Sequence, residues 1–338
     1  MTISVVIPTF RRPELLATTL ASLRAQTYSD LEVLVCDNGD DDDVARLVDT
    51  AADSRFRHIR RPENVGIQRN TMLGFHSAAG EFVFKLDDDD LLSPTALEHL
   101  AHALRRYPHA SLAFGVVHVF HDDPLHTRRH TPALQHEEFG DFAELAAAGA
   151  VQLASSLIRK SALGRIEVDP ATKTAFDVDI LLRLADDGVA VHVPDAHIHY
   201  RRHDRADSVT APGPQGWGAL VALNSAIERR PERLRSQAFR SSLEAAALAA
   251  ARGALREGRG EAARAAVDSL PRDLRTPALA KLKLAGYVPR IARPIAVLAH
   301  ERYRRTGIAD LRYPAPPLPP RSIEVRSGPS SSAPPPSS

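Results

Sequence analysis

Short, continuous apolar segments alternate with longer amphipathic segments over the first hundred residues. The apolar runs are residues 3–8 (ISVVIP), 31–37 (LEVLVCD) and 81–87 (EFVFKLD), and runs of this kind are typical of strands covered on both faces of a sheet. Residues 56–61 (FRHIRR) are a further strand candidate. Strands that alternate with helices predict an α/β fold with a doubly wound, mostly parallel sheet and right-handed crossovers.

Helical periodicity fills the intervals between these strands. Residues 12–26 carry a leucine stripe at helical spacing, with Pro13 at a first-turn position. A second helix is predicted over residues 43–53, and a third over residues 66–80 that ends at Gly80. In sheets built this way, ligands bind beyond the carboxyl ends of the strands.

The next hundred residues continue with less regular elements. Residues 111–121 and 151–159 are interpreted as strands, and the polar, histidine-rich segment between them as a solvated loop, because its histidines lack a tight ligand spacing. A helix is predicted to begin near Ser93-Pro94, a good cap and first-turn pair. Residues 174–188 predict a further helix. Residues 189–203 then form an extended segment of alternating character.

Composition changes after the extended segment and divides the chain into three expected regions. Residues 1–212 form the sheet domain, and residues 213–312 form a helical region rich in Ala, Leu and Arg. Its residues 223–270 predict two or three amphipathic helices. Within the same region, residues 284–305 fit either a helix docked on the domain or a helix in peripheral contact with a membrane. Residues 313–338 are rich in Pro and Ser and are expected to be disordered.

The net charge and the cysteine count bear on whether the protein binds nucleic acid and on the compartment in which it resides. The net charge is +1, from 43 basic and 42 acidic residues, so no general attraction to nucleic acid is expected. Cys36 is the single cysteine and cannot form an internal disulfide, which fits a reducing compartment. We see no signal peptide and no apolar stretch of about 20 residues, and we therefore expect a cytoplasmic protein.

Four aspartates occur in a row twice, at residues 40–43 and 87–90. Adjacent carboxylates repel one another and need a counter-charge, water or a helix terminus. The first run opens a predicted helix, which favours a solvated cap. The second run follows a strand at the edge where ligands bind, and its oxygens suit a divalent cation such as Mn²⁺ or Mg²⁺. On spacing alone, metal binding and a solvated strand end both stay open for the second run.

Several segments together resemble the N-terminal half of family 2 glycosyltransferases with the GT-A fold. They are ISVVIPTF through LEVLVCDNG, then NVGIQRN, then GEFVFKLDDDDLL, over residues 3–95, with a looser likeness to about residue 210. The resemblance implies a GT-A fold with a C-terminal helical extension. It also implies metal-dependent, inverting transfer of a sugar from a nucleoside diphosphate sugar to an acceptor hydroxyl or amine.

The resemblance further implies a nucleotide-sugar site drawn from three segments. One lies at the ends of the first two strands, where the second-strand carboxylate contacts the base. Another is the N-x-G-x-x-R-N segment, and the third is the DXD motif, which contacts the ribose. The implied residues are Pro8, Thr9, Asp37, Asn64, Gly66, Arg69, Asp87 and Asp88.

The same resemblance implies which residues bind the metal ion and which residue is the catalytic base. Asp89 would bind Mn²⁺ or Mg²⁺ and His203 is a second candidate ligand. Asp177 falls on the position of the catalytic base, although Phe176 stands where the family usually has Glu, and Asp179 is the fallback. That departure keeps a sugar-nucleotide-binding or scaffold protein without catalysis as the alternative. The donor base and sugar, and the acceptor, are not specified by these motifs.

Overall fold

The structure is a computed structural model that describes residues 1–39, 42–134, 137–202 and 215–287. Within those ranges ten strands form one sheet. The strands are β1 (Ile3–Thr9), β2 (Leu31–Asp37), β3 (Phe56–Arg60), β4 (Phe82–Lys85), β5 (Leu91–Leu92), β6 (Leu112–Phe120), β7 (Arg128–Arg129), β8 (Glu138–Phe139), β9 (Ser156–Arg159) and β10 (Ala190–Arg201).

Helices cover both faces of the sheet and continue beyond it. They are α1 (Pro13–Arg24), α2 (Asp43–Ala51), α3 (Ile67–Ser77), α4 (Ala96–Arg106), α5 (Ala143–Ala147), α6 (Lys160–Leu163), α7 (Phe176–Leu184), α8 (Gln215–Arg229), α9 (Gln237–Arg256), α10 (Gly260–Asp268) and α11 (Pro277–Ala285). No helix of the described residues is both long enough and apolar enough to cross a bilayer.

The sheet has the order β3-β2-β1-β4-β9-β6-β10-β5. The neighbours β3, β2, β1 and β4 are parallel throughout, and β6 is parallel to β10. Strand β9 lies antiparallel between β4 and β6, while β5, β7 and β8 add short antiparallel pairs. The sheet is therefore parallel in its first half, as predicted, and mixed in its second half.

Strand β1 shows why the first half is parallel and central. All seven of its residues are buried, and alternate side chains enter different cores. Ile3, Val5 and Ile7 pack into the core on the side of α1, α2 and α4, whereas Val6 packs on the side of α3 and α7. Because both faces are covered, the strand has to be apolar along its whole length.

Two predicted boundaries were wrong. Helix α3 ends at Ser77, and Gly80 instead lies where an added Cβ would come within 2.6 Å of the Thr2 carbonyl, so close packing requires the glycine. Only residues 156–159 of the predicted strand 151–159 are extended, after a 3₁₀ turn. Helix α4 begins at Ala96, near the predicted start at Ser93-Pro94.

The C-terminal helices pack onto the sheet domain through one shared core. Leu220 of α8 and Phe239 of α9 belong to the same buried cluster as Phe176 and Ile180 of α7. Three α-helices, α8, α9 and α10, cover residues 223–270, for which two or three were predicted, and α11 follows them. The predicted boundary at residue 212, the end of the 284–305 segment and the 313–338 tail lie outside the described residues.

Arginines of the helical region also bind the end of α7 by ion pairs. Arg233 is 5% exposed and donates to Asp186 at 2.8 Å, and Arg229 donates to the same carboxylate at 2.6 Å. A buried guanidinium of this kind is tolerated because a carboxylate accompanies it. The region that carries α7 is thus fixed to α8 by charge as well as by apolar contact.

Truncating Phe239 to Ala should destabilise the whole protein, because its fully buried ring fills the shared core. We expect a loss of about 3–5 kcal/mol in the free energy of unfolding, seen as one cooperative transition in urea followed by circular dichroism. Leu284→Ala, at a side chain 68% exposed in α11, is the matched control and should change stability by less than about 0.5 kcal/mol. Two separate transitions, only one of them shifted, would contradict a shared core.

Candidate active site

The carboxyl ends of β1, β2 and β4 bring the predicted segments to one edge of the sheet. The Asn38 backbone N–H donates to the Thr9 carbonyl at 3.0 Å, and the Leu86 N–H donates to the Val6 carbonyl at 3.0 Å. Parallel pairing therefore places Thr9, Asp37 and the 87–90 run side by side. Pro8 is fully within β1, opposite Cys36.

Asp37 is buried and held from two sides. Its Oδ1 accepts the Gly39 backbone N–H at 2.8 Å, and its Oδ2 lies 2.9 Å from His58 Nε2 and 3.8 Å from Arg60 Nε. The Gly39 bond is the turn-forming contact expected of an aspartate before Asn-Gly. The turn role is thus observed, and the contact to a nucleotide base stays a prediction.

The NVGIQRN segment is attached to the end of β2 by asparagines. Asn38 Nδ2 donates to Asn64 Oδ1 at 2.9 Å, and the Gly66 N–H donates to the same oxygen at 3.0 Å. Gly66 has φ +80°, which favours glycine, and precedes the first turn of α3. Asn70 is buried and bonds a β2 carbonyl, so Arg69 is left exposed beside the strand ends.

Asp88 and Asp89 share one arginine. Arg12 Nη1 lies 3.0 Å from Asp89 Oδ2 and 3.4 Å from Asp88 Oδ1, and Thr9 Oγ1 donates to Asp88 at 2.7 Å. Burial, and then the charge of Asp89, raise the pKa of Asp88 from its ordinary 3.8 to about 7, although Thr9 and Arg12 act against the rise. The protein alone therefore leaves negative charge here incompletely balanced.

Asp90 is fully buried behind this pair. Its Oδ1 accepts the Arg201 backbone N–H at 2.9 Å, whereas its Oδ2 has no hydrogen-bond partner in the structure. Burial, and then the charges of Asp87 and Asp89, raise its pKa well above the ordinary value. Arg201 Nε also donates to the Asp89 carbonyl at 3.1 Å. Arg201 of β10 therefore holds two residues of the acidic run by hydrogen bonds.

Asp87, the first residue of the acidic run, and Asp177 interact electrostatically with each other and with Lys85. Lys85 Nζ donates to Asp87 Oδ1 at 2.5 Å. Asp177 is in the first turn of α7, where the Val178 N–H donates to its Oδ1 at 2.9 Å. Burial raises the pKa of Asp177, the charge of Lys85 lowers it, and the charge of Asp87 raises it again. A carboxylate with a raised pKa near other charged groups is a candidate proton acceptor.

The two residues that flank Asp177 on α7 have structural contacts. Asp179 is fully buried, accepts Arg183 Nε at 2.9 Å and accepts the Asp169 N–H at 3.0 Å. Phe176, in place of the family's usual Glu, packs into the shared core with 3% exposure. Asp177 interacts electrostatically with Asp87 of the acidic run, whereas both Asp179 oxygens already accept hydrogen bonds, so Asp179 stays a weaker prediction.

Oxygen ligands are available for a divalent cation, but a complete protein cage is not found in the described residues. No group of three or more His, Cys, Asp or Glu side chains there has the arrangement of a metal site. His203 lies outside the described residues. Mg²⁺ commonly uses one or two carboxylates, waters and substrate phosphates, and the uncompensated charge of Asp88 and Asp90 fits such a partial site.

Four residues that the sequence analysis passed over contribute to the site. Arg12 forms ion pairs with Asp88 and Asp89, and His58 contacts Asp37. Arg201 donates to Asp90, and Lys85 donates to Asp87. Lys85 left a signal in the sequence, since a lysine within an apolar strand requires a buried partner. The other three had none, because their partners lie far along the chain.

Residues 4–166 match the family model described as Glycosyl transferase family 2. This segment is a family 2 glycosyltransferase domain. The predicted resemblance is thereby confirmed for the region that contains β1 to β9 and the acidic run. The match stops short of α7, so Asp177 lies beyond it.

Curated relatives resemble this domain over about a hundred residues. A GalNAc(5)-diNAcBac-PP-undecaprenol beta-1,3-glucosyltransferase of Campylobacter jejuni is 37% identical over 101 residues, which cover 29% of this chain and 33% of the relative. An Escherichia coli chondroitin synthase is 33% identical over 98 residues, 28% of this chain and 14% of the relative. This chain thus matches a third or less of the length of these relatives.

A solved structure extends the likeness to nearly the whole chain. Residues 1–349 of S. aureus TarS, in complex with UDP-GlcNAc, superpose with a TM-score of 0.60 at 14% identity, covering 91% of this chain and 92% of that one. Identity at this level concerns the fold alone. Together with the central sheet, the likeness confirms the predicted GT-A fold and its helical C-terminal region.

Replacing Asp88 by Asn should stabilise the protein at neutral pH when nucleotide and metal are absent. The folded state holds the Asp88 proton more tightly than the unfolded state, so the contribution of Asp88 is fully present below pH 3.8 and is lost as the pH rises through about 7. We expect the gain from Asp88→Asn in urea unfolding to be about 2 kcal/mol larger at pH 7.5 than at pH 5.

Asp43→Asn, at an exposed carboxylate of the first aspartate run, is the control for the Asp88 measurement. Its effect on stability should be small and similar at both pH values. An equal effect of Asp88→Asn at pH 5 and pH 7.5 would show that the buried charge is already balanced.

Proposed function

We propose that this protein is a glycosyltransferase that moves a sugar from a nucleoside diphosphate sugar to an acceptor hydroxyl or amine, with inversion and with help from a divalent cation. The observation that carries the proposal is the meeting of Asp37 and the 87–90 run at one sheet edge of the family 2 segment, with Asp177, from beyond that segment, in electrostatic interaction with Asp87. These groups correspond to base recognition, diphosphate binding and proton removal.

The donor is proposed to lie over the ends of β1 and β2. There Thr9 and Asp37 close the strands, Asn64 and Gly66 shape the adjacent loop, and Arg69 is exposed for contact with phosphate. A nucleoside diphosphate sugar is supported as the donor class by the likeness to S. aureus TarS, which has been solved with UDP-GlcNAc and with UDP. An arginine suits phosphate oxygens because it is always charged and offers several donors.

Mn²⁺ or Mg²⁺ would be held by Asp89, with Asp87 or Asp88 on the ribose. Bound there, the cation would stabilise negative charge on the departing diphosphate. The fit rests on the protein's own residues: Asp88 has a pKa near 7 and Asp90 keeps one oxygen without a partner. Arg12 forms ion pairs with Asp88 and Asp89 and would have to share these carboxylates with the cation.

Asp177 is the proposed base. As the acceptor oxygen forms its bond to the anomeric carbon, the bond from that carbon to the diphosphate oxygen breaks, and the acceptor proton passes to Asp177. The diphosphate leaves with the bonding electron pair. Attack from the face opposite the leaving group inverts the anomeric centre. The raised pKa of Asp177 brings it closer to working pH, which strengthens it as a proton acceptor.

The acceptor is proposed to be a saccharide hydroxyl. The names of the relatives support this class: one transfers glucose in a beta-1,3 linkage to a glycan on undecaprenyl diphosphate, and the other is a chondroitin synthase. The matched segments cover a third or less of those proteins, so the proposal goes no further than the chemical class.

A second candidate is a protein that binds sugar nucleotides without turning them over. It is favoured by Phe176, which leaves an apolar core residue where the family usually has a second carboxylate beside the base. Such a protein would bind the donor with metal, and replacing Asp177 would change nothing measurable. Turnover therefore separates the two functions.

Calorimetric titration of UDP, GDP and TDP, each with and without Mn²⁺, tests the donor site. We expect one of them to bind only with the metal, and Asp89→Ala to weaken that binding at least about tenfold, since it removes a direct ligand. Asp43→Ala removes an exposed aspartate of the other run and should leave binding unchanged. Absence of binding by every nucleotide, under every condition, would overturn the donor site and leave the 87–90 run with a structural role alone.

Replacing Asp177 by Asn tests the base. With the donor identified by calorimetry and water as the acceptor, we expect nucleotide release to fall by about 10²–10⁴-fold, while the nucleotide dissociation constant stays within about twofold. In the wild type, the rate should fall on the acid side with an apparent pKa above that of an ordinary aspartate, because the basic form is the deprotonated one. An unchanged rate in Asp177→Asn would support the binding protein instead.

A further inference from the structure

Lys85 is a buried cation at the end of an apolar strand. All four residues of β4 are buried, and Lys85 is 8% exposed. Because side chains alternate along a strand, Lys85 lies on the same face as Val83, which packs into the shared core. An ammonium in such a place is costly unless carboxylates accompany it.

Carboxylates from two places in the chain, the 87–90 run and α7, accompany this ammonium. Lys85 Nζ donates to Asp87 at 2.5 Å and interacts electrostatically with Asp177 and Asp90. Burial lowers the pKa of Lys85, but the charge and hydrogen bond of Asp87, followed by the charges of Asp177 and Asp90, raise it above its ordinary value. Lys85 therefore stays charged at neutral pH.

The partners of Lys85 belong to different parts of the proposed reaction. Asp87 ends the strand that approaches the donor, whereas Asp177 begins α7 and is the proposed base. The groups that act on the Asp177 carboxylate are Lys85, Asp87 and the Val178 backbone N–H. Of these, Lys85 is the one cationic side chain.

We propose that Lys85 is a positioning residue whose single buried ammonium couples the donor-side carboxylate Asp87 to the base Asp177. The proposal rests on the proposed function, since it assigns Lys85 a part in the same site. Lys85 does not contact the reacting atoms; it acts through the two aspartates. Its charge keeps Asp177 in the basic form, and its hydrogen bond fixes Asp87 at the end of β4.

The sign of the expected effect follows from the three groups around Asp177. Without the Lys85 charge, burial and the charge of Asp87 remain, and both raise the pKa of Asp177. The base then becomes protonated at a higher pH than in the wild type. A lysine that serves stability alone would change the amount of active protein but would leave the position of the acid limb unchanged.

The first test is the pH dependence of donor hydrolysis in Lys85→Met and Lys85→Gln, followed as release of the nucleoside diphosphate. We expect the acid limb of kcat/KM to move up by about one pH unit in both variants, the size that loss of a neighbouring opposite charge produces. Lys85→Arg keeps the charge and should keep the wild-type limb. A lower rate with the limb in its wild-type place would overturn the proposal.

A second test needs no turnover. Asp177→Asn removes a half-buried carboxylate, so it should raise the melting temperature more in the Lys85→Met background, where that carboxylate has lost its cation, than in the wild type. We expect a difference of about 2–4 °C at pH 7.5. If Lys85→Met folds only together with Asp177→Asn, that rescue demonstrates the same coupling.

The two tests separate the failure of this inference from failure of the proposed function. Equal melting-temperature increments in both backgrounds would show that Lys85 and Asp177 are not coupled. A wild type that hydrolyses no nucleotide sugar would overturn the proposed function, and the melting-temperature comparison would still decide whether Lys85 and Asp177 are coupled.

Discussion

The carboxylates of Asp87, Asp88, Asp89 and Asp90 follow one another at the end of a central strand, largely shielded from water, and their repulsion has to be balanced there. The neighbouring structure supplies that balance piece by piece. Arg12 comes from the loop after β1, Lys85 from β4 itself, and backbone and side-chain groups of β10 from the far half of the sheet. The balance is incomplete, as the raised pKa of Asp88 and the unpartnered oxygen of Asp90 show. A site that keeps unbalanced negative charge is suited to a cation that arrives with its substrate.

The C-terminal helices are part of this arrangement through α7. That helix carries Asp177 at its first turn and Asp186 just beyond its last, and arginines of the helical region bind Asp186. Its apolar side packs into a core shared with α8 and α9. The proposed base is therefore placed by the sheet on one side and by the helical region on the other. The helical region therefore helps to position the proposed base.

Local sequence patterns predicted the structure correctly where a residue type has a single structural role. Apolar runs located β1, β2 and β4, and the DXD motif located the acidic run at the correct sheet edge. They failed where a residue has two possible purposes. Glycine is common at helix ends, but at position 80 it is required by close packing against β1. Asp37 is a residue type that is common in turns, and the turn contact with Gly39 is made. The same carboxylate also contacts His58, which the local pattern did not predict. Periodicity also could not show that β9 runs antiparallel.

The sequence by itself determined the parallel first half of the sheet, the family of the N-terminal domain and the position of the acidic run, because each depends on residues close together in the chain. Tertiary structure alone decided which charges balance that run. Lys85, Arg12 and Arg201 reach it from separate strands and loops, and Asp177 reaches it from a helix beyond the matched family segment. Electrostatic balance depends on distance in space and on burial, and neither quantity is written in the spacing of residues along the chain.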